Sequence, residues 1–146
     1  FRGVGASTGA WTGGPGEQTD LARAIETATG TFPGLPLRLA GWSFGAVVAL
    51  CWQRDHRGRQ PLAAIAPPTR IEGVPPLPDP SSLAPAPRLF LVGSREQFAD
   101  PAALAAYAAA LGAELEVLPG SDHFFYGREH RVGRSVAAHL AGAGRA

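Results

Sequence analysis

The sequence predicts an α/β protein with a mostly parallel sheet of about four strands and helices on both faces. Three observations carry this. Short apolar runs at 37–41, 62–66, 88–92 and 115–118 have strand length and are bounded by Pro, Gly or polar residues. Helical stretches separate most of them over short links, the alternation that parallel strands require. The stretch from Phe44 to about Trp52 is apolar nearly all round, the mark of a helix buried against a sheet.

Along the chain, residues 1–16 are Gly-rich and read as a loop containing Trp11. Leu21, Ala24, Ile25 and Ala28 fall at i, i+3, i+4, i+7 and predict one helix face, with Gly30 and Pro33 as its stop. The run 37–41 after Pro36 predicts a strand, the helix from Phe44 comes next, and 53–60 reads as polar and solvated. Leu62 to Ala66 predicts a second strand, closed by Pro67 and Pro68. Residues 67–87 are Pro-rich and irregular, with no amphipathic helix. Arg88-Leu89-Phe90-Leu91-Val92 is the clearest buried strand. Asp100-Pro101 opens an Ala-rich helix with Leu104, Tyr107 and Leu111 on one face and Gly112 as its stop. Leu115, Val117 and Leu118 predict a fourth strand, and a last helix spans about 128–140. There is no internal repeat, and the Pro-rich stretch is too short to link two cores, so residues 1–146 read as a single domain.

The composition excludes several function classes. The 13 basic residues are all Arg, scattered, and balanced by 12 acidic ones to a net charge of +1. That leaves no basic stripe for nucleic acid or a membrane surface. A single cysteine, Cys51, forms no internal disulfide, no apolar run reaches the ~18 residues of a membrane span, and no signal peptide opens the chain. The expected location is cytoplasmic. The four His are dispersed and Cys51 has no partner at ligand spacing, so neither a metal nor a cofactor is expected. Gly3, Gly5 and Gly9 do not make a dinucleotide fingerprint, and a chain without Lys has no Walker loop. The absence of Met, with Phe1 first, predicts further residues upstream.

The chemistry sits in a few residues. Gly41-Trp42-Ser43-Phe44-Gly45 matches G-x-S-x-G between a predicted strand and a predicted helix. That pattern makes a sharp turn whose strained serine exposes its hydroxyl, with Gly41 and Gly45 relieving crowding on either side. The Phe44 N–H, at the helix N-terminus, points beside that hydroxyl as an oxyanion donor. His123, in a loop between the last strand and the last helix, is the candidate base, because sites in open α/β sheets lie at the C-terminal strand ends. The candidate acids lie after the 88–92 strand. Glu96 has no structural role in the sequence, whereas Asp100 before Pro101 is explained as a helix cap. Glu96 is preferred and Asp100 is the alternative; Asp122 adjoins His123, and neighbours on an extended segment point apart. The resulting order is Ser43, Glu96, His123.

With these residues, the chain resembles the small bacterial α/β-hydrolases close to the dienelactone-hydrolase-like enzymes. The resemblance rests on Phe1-Arg2-Gly3-Val4-Gly5-Ala6-Ser7, the elbow at 41–45, Val92-Gly93-Ser94-Arg95-Glu96-Gln97-Phe98, and Ser121-Asp122-His123-Phe124-Phe125. It implies a partial α/β-hydrolase fold whose first strands, with the loop that supplies a second oxyanion N–H, precede Phe1. It places any lid between the second and third strands here, where 67–87 leaves no room for a substantial cap. Such enzymes usually carry Asp where this chain has Glu96.

Two functions compete. The leading expectation is a serine hydrolase cleaving a carboxylic ester or related acyl bond of a small molecule through an acyl-enzyme on Ser43. The alternative is a non-catalytic α/β-hydrolase-like module that binds a ligand or partner. A central strand left at the sheet edge also predicts self-association and a poor turnover for the chain alone.

Overall fold

A computed structural model describes residues 1–143. The elements run α1 (Pro15–Thr31), β1 (Leu39–Trp42), α2 (Phe44–Asp55), β2 (Leu62–Ile65), a single 3-10 turn (Pro80–Ser82), β3 (Arg88–Gly93), α3 (Pro101–Ala110), β4 (Glu114–Leu118) and α4 (Glu129–Gly142). The four strands form one sheet in the order β1-β2-β3-β4, and every pairing is parallel. All C-terminal strand ends therefore lie along one rim. The pairing extends past the strands: Ser43 N–H donates to Ile65 O at 2.8 Å, Ala66 N–H to Leu91 O at 2.7 Å, and Ser94 N–H to Leu118 O at 3.0 Å. These bonds set the relative height of the loops that leave β1, β3 and β4.

Alternation along the strands divides the core. On one face Leu39, Leu62, Ala64 and Phe90 pack against Ala46, Ala49 and Leu50 of α2 and Ala108 of α3, with Leu21 and Ile25 of α1 behind them. On the other, Ile65, Leu91 and Leu118 pack against Phe125 and Val132 of α4. Every residue of β3 is buried, as is every residue of α2 from Ala46 to Gln53, which is why 46–52 and 89–92 read as apolar in sequence.

Three local expectations change. In α1 only Leu21 and Ile25 of the expected face reach the core; Ala24 and Ala28 are exposed, and Ala22 takes part instead. The helix runs through Gly30 to Thr31 before Pro33 and Gly34 end it. The stretch after Trp52 is not wholly solvated. Gln53 is fully buried: its Oε1 accepts from Arg88 Nε at 2.9 Å and its Nε2 donates to Gln60 O at 2.8 Å. Arg88, itself buried, also donates to Ala84 O at 3.0 Å, and burial pushes its guanidinium below its ordinary pKa.

The opening segment is folded back onto α1 by two carboxylates. Glu17 is fully buried and accepts from Thr12 N–H (2.9 Å), Thr12 Oγ1 (2.7 Å) and Gly14 N–H (2.8 Å). Burial alone would raise its pKa, but these donors outweigh it and hold the carboxyl below its usual range. Asp20 accepts from the Arg2 backbone N–H at 2.8 Å and from its guanidinium Nε and Nη2, the shortest at 2.6 Å.

These buried and bridged groups have two measurable consequences. The side-chain hydrogen bond from Arg2 lowers the Asp20 pKa to about 2. A depressed carboxylate pKa means the contact contributes fully above the unfolded value, about 4, and is lost as pH falls through 2. The Arg2 amide proton should therefore titrate by NMR with a midpoint near 2 rather than near 4. Separately, Gln53→Leu should lower urea stability by about 2–3 kcal/mol, because it takes an acceptor from a buried guanidinium. Arg88→Met, which removes the charge as well, should cost less.

Candidate active site

The turn from β1 into α2 puts Ser43 at φ 54, ψ −126, a left-handed backbone that a non-glycine residue adopts only under constraint. The constraint is packing. A Cβ at Gly41 would lie 2.5 Å from Gly45 O and 2.7 Å from Ala46 Cα, so the strand approaches the helix as closely as a glycine allows. Gly45 is different: a Cβ there meets only Phe1, at 3.9 Å, so the turn's geometry does not demand glycine at that position. Ser43 caps α2 through its carbonyl, which accepts from Ala46 N–H at 2.9 Å. Its hydroxyl makes no capping bond and stays available.

That hydroxyl lies 2.9 Å from His123 Nε2, across 80 residues of sequence. His123 Nδ1 lies 2.9 Å from Glu96 Oε1, across 27 residues. With Nδ1 protonated towards the carboxylate, Nε2 is the acceptor for the Ser43 hydroxyl. The His123 side chain is 5% exposed and that of Glu96 0%. Glu96 Oε1 also accepts from Phe98 N–H at 2.9 Å, which turns the carboxylate back over its own loop.

The other candidates lie elsewhere. Asp100 caps α3, accepting from Ala102 N–H at 3.0 Å, and its second oxygen takes Arg70 Nη2 at 2.9 Å. Asp122 accepts from Phe124 N–H at 3.0 Å. His56 stacks on Trp52, His130 is exposed, and His139 is buried against Glu114. Cys51 is buried in α2, and burial raises its thiol pKa. No group of three or more His, Cys, Asp and Glu among the described residues has metal-binding geometry. No helix among them is long and apolar enough to cross a membrane.

Phe44 N–H, at the first position of α2, donates to no group among the described residues. The Phe44 ring packs edge-on against Phe1 (5.8 Å between centroids) and Trp11 (6.2 Å). Phe1, Trp42, Ser43 and Phe44 border an apolar cleft of about 460 Å³ along the free side of β1.

Several residues that hold His123 were not anticipated. Gln97 Oε1 accepts from the His123 backbone N–H at 3.2 Å, and Trp42 Nε1 donates to its carbonyl at 3.3 Å. Phe98 meets the imidazole edge-on at 4.8 Å and Trp42 lies stacked at 6.1 Å. Gln97 and Phe98 adjoin Glu96 in sequence, but nothing local links them to a loop 26 residues away.

No family model matches the sequence, and the search for curated relatives found no match. Solved structures do match. An α/β serine hydrolase homologue from Coxiella burnetii superposes with a TM-score of 0.80 at 28% identity, covering 96% of this chain and 66% of that one. An α/β serine hydrolase without a lid from Xanthomonas campestris gives 0.78 at 29% identity, covering 97% and 63%. The esterase Pf2001 of Pyrococcus furiosus gives 0.79 at 16% identity, a likeness of fold alone, covering 98% and 68%. The chain thus spans about two thirds of the length of these structures. The chain has the α/β-hydrolase fold, which it shares with these serine hydrolase structures.

Proposed function

We propose that the chain carries the nucleophile, base and acid of a serine hydrolase acting on a carboxylic ester or related acyl bond of a small molecule. The supporting observation is the unbroken series Ser43 Oγ–His123 Nε2 and His123 Nδ1–Glu96 Oε1, both at 2.9 Å, with the serine on a left-handed turn and the acid buried. His123 Nε2 takes the Ser43 proton as Oγ attacks the acyl carbon. Glu96, anionic opposite Nδ1–H, stabilises the imidazolium, and the Phe44 N–H donates to the developing oxyanion. The imidazolium returns the proton to the leaving group, and the acyl group remains on Ser43. Water then attacks the acyl-enzyme with Nε2 again as base, releasing the acid and restoring the hydroxyl. The residues packed around His123 keep it within reach of both partners through this cycle.

A fluorophosphonate probe should label Ser43, and Ser43→Ala should lower hydrolysis of 4-nitrophenyl acetate by roughly 10⁶-fold. His123→Ala should lose a similar amount, and the double variant no more, because the two act as a unit. Glu96→Gln should cost turnover on the order of 10⁴-fold. Asp100→Asn should leave turnover unchanged, since Asn caps a helix about as well. Loss of turnover in Asp100→Asn with Glu96→Gln active would exchange the two roles. An unlabelled Ser43 in the folded protein would favour a binding module instead.

We also propose that copies associate through β1. Leu39 and Ser43 direct their N–H groups at Pro61 O and Ile65 O. Alternation therefore aims those of Ala40 and Trp42 away from β2, on the side where β1 has no neighbouring strand among the described residues. Such an edge is a template for another strand. Light scattering after size exclusion should show concentration-dependent association. Ala40→Pro, which removes an outward N–H and leaves the β1–β2 ladder intact, should abolish it. Unchanged association in that variant would locate the contact elsewhere.

A further inference from the structure

Glu96 is engaged through only one of its carboxylate oxygens. Oε1 meets both His123 Nδ1 and Phe98 N–H, while Oε2 is buried without a partner among the described residues. A buried carboxylate oxygen without a donor is costly, and such atoms are almost always satisfied. One complementary group lies in the adjoining loop: the Ser121 hydroxyl, also buried and also without a partner. The other unpartnered buried side-chain atoms among the described residues, on Trp52, Gln60 and His139, belong to different parts of the molecule.

The backbone presses these two loops together. Arg95 N–H donates to Ser121 O at 2.9 Å, and Gly120 N–H donates to Ser94 Oγ at 2.8 Å. Gly93 ends β3 where any side chain would collide with the Ser121 carbonyl. Burial then alternates along the second loop: Ser121, His123 and Phe125 are buried, whereas Asp122 is half-buried and Phe124 exposed. Ser121 and His123 are thus both buried, two residues apart, in the loop against which the Glu96 loop packs. A donor lacking an acceptor and an acceptor lacking a donor lie in two loops in direct contact.

We propose that Ser121 is a positioning residue for Glu96, its hydroxyl donating to Oε2 directly or through one bridging water. The bond holds the carboxylate plane so that Oε1 stays opposite His123 Nδ1. This rests on the hydrolase reading for its catalytic consequence, but the contact itself is measurable without turnover.

The test compares Ser121→Ala and Ser121→Thr by three readouts: the low-field proton resonance of His123 Nδ1–H, steady-state hydrolysis of 4-nitrophenyl acetate, and fluorophosphonate labelling. In Ser121→Ala the resonance should shift and kcat should fall roughly tenfold with KM unchanged, the loss of one hydrogen bond to a charged group. Ser121→Thr keeps the hydroxyl and should restore both. If the Ala variant does not fold, Ser121→Cys, near in size and a poor donor, takes its place. An unmoved resonance with wild-type kcat in the Ala variant, or equal losses in Ala and Thr, would overturn the proposal. Absence of labelling at Ser43 in the unsubstituted chain would instead remove the hydrolase reading, while the resonance still decides the Ser121 contact.

Discussion

The close approach of β1 to α2 at Gly41 is the constraint on which the site depends. With a Cβ there only 2.5 Å from Gly45 O, the strand passes into the helix through a single residue, and that residue takes the strained turn. Burial of α2 offsets the strain. The helix is buried along eight consecutive residues, and its packing against the sheet holds the turn from behind. Ser43 N–H is still bonded to Ile65 O, so the strained residue is tied to the sheet on one side and to the helix on the other.

The parallel ladder does the rest of the positioning. Because β1, β3 and β4 run the same way, the loops after them emerge at one rim, and Ser43, Glu96 and His123 converge there. The ladder fixes height, and the contacts between loops fix orientation. Gly93 lets the β3 and β4 loops touch, Gln97 holds the His123 backbone, and the Trp42 and Phe98 rings confine the imidazole. Each is a short-range contact with a clear partner, and together they limit the histidine to a narrow range of positions.

Buried polar groups sit where they organise structure. Gln53 and Arg88 join α2 to β3 across the core, and Glu17 and Asp20 gather the opening segment onto α1. That segment brings Phe1 and Trp11 against Phe44, the residue next to Ser43. A carboxylate on α1 thereby bears on the shape of the cleft beside Ser43, through ring packing rather than charge.

The sequence by itself determined the α/β class, the four strands, the buried α2 and the elbow, because each is written in local pattern: apolar runs of strand length, an all-round apolar helix, and Gly-x-Ser-x-Gly between them. It also carried Asp100 as a helix cap, since Asp before Pro at a helix start is a local signal. Tertiary structure decided whatever depends on residues far apart. Which carboxylate faces His123, the burial of Gln53 in a polar stretch, the exposure of Ala24 and Ala28, and the parts played by Gln97, Phe98 and Trp42 all turn on the meeting of separate loops and layers. Local periodicity records only which side of an element is apolar. The partner packed against that side, and its distance, are settled when the chain closes.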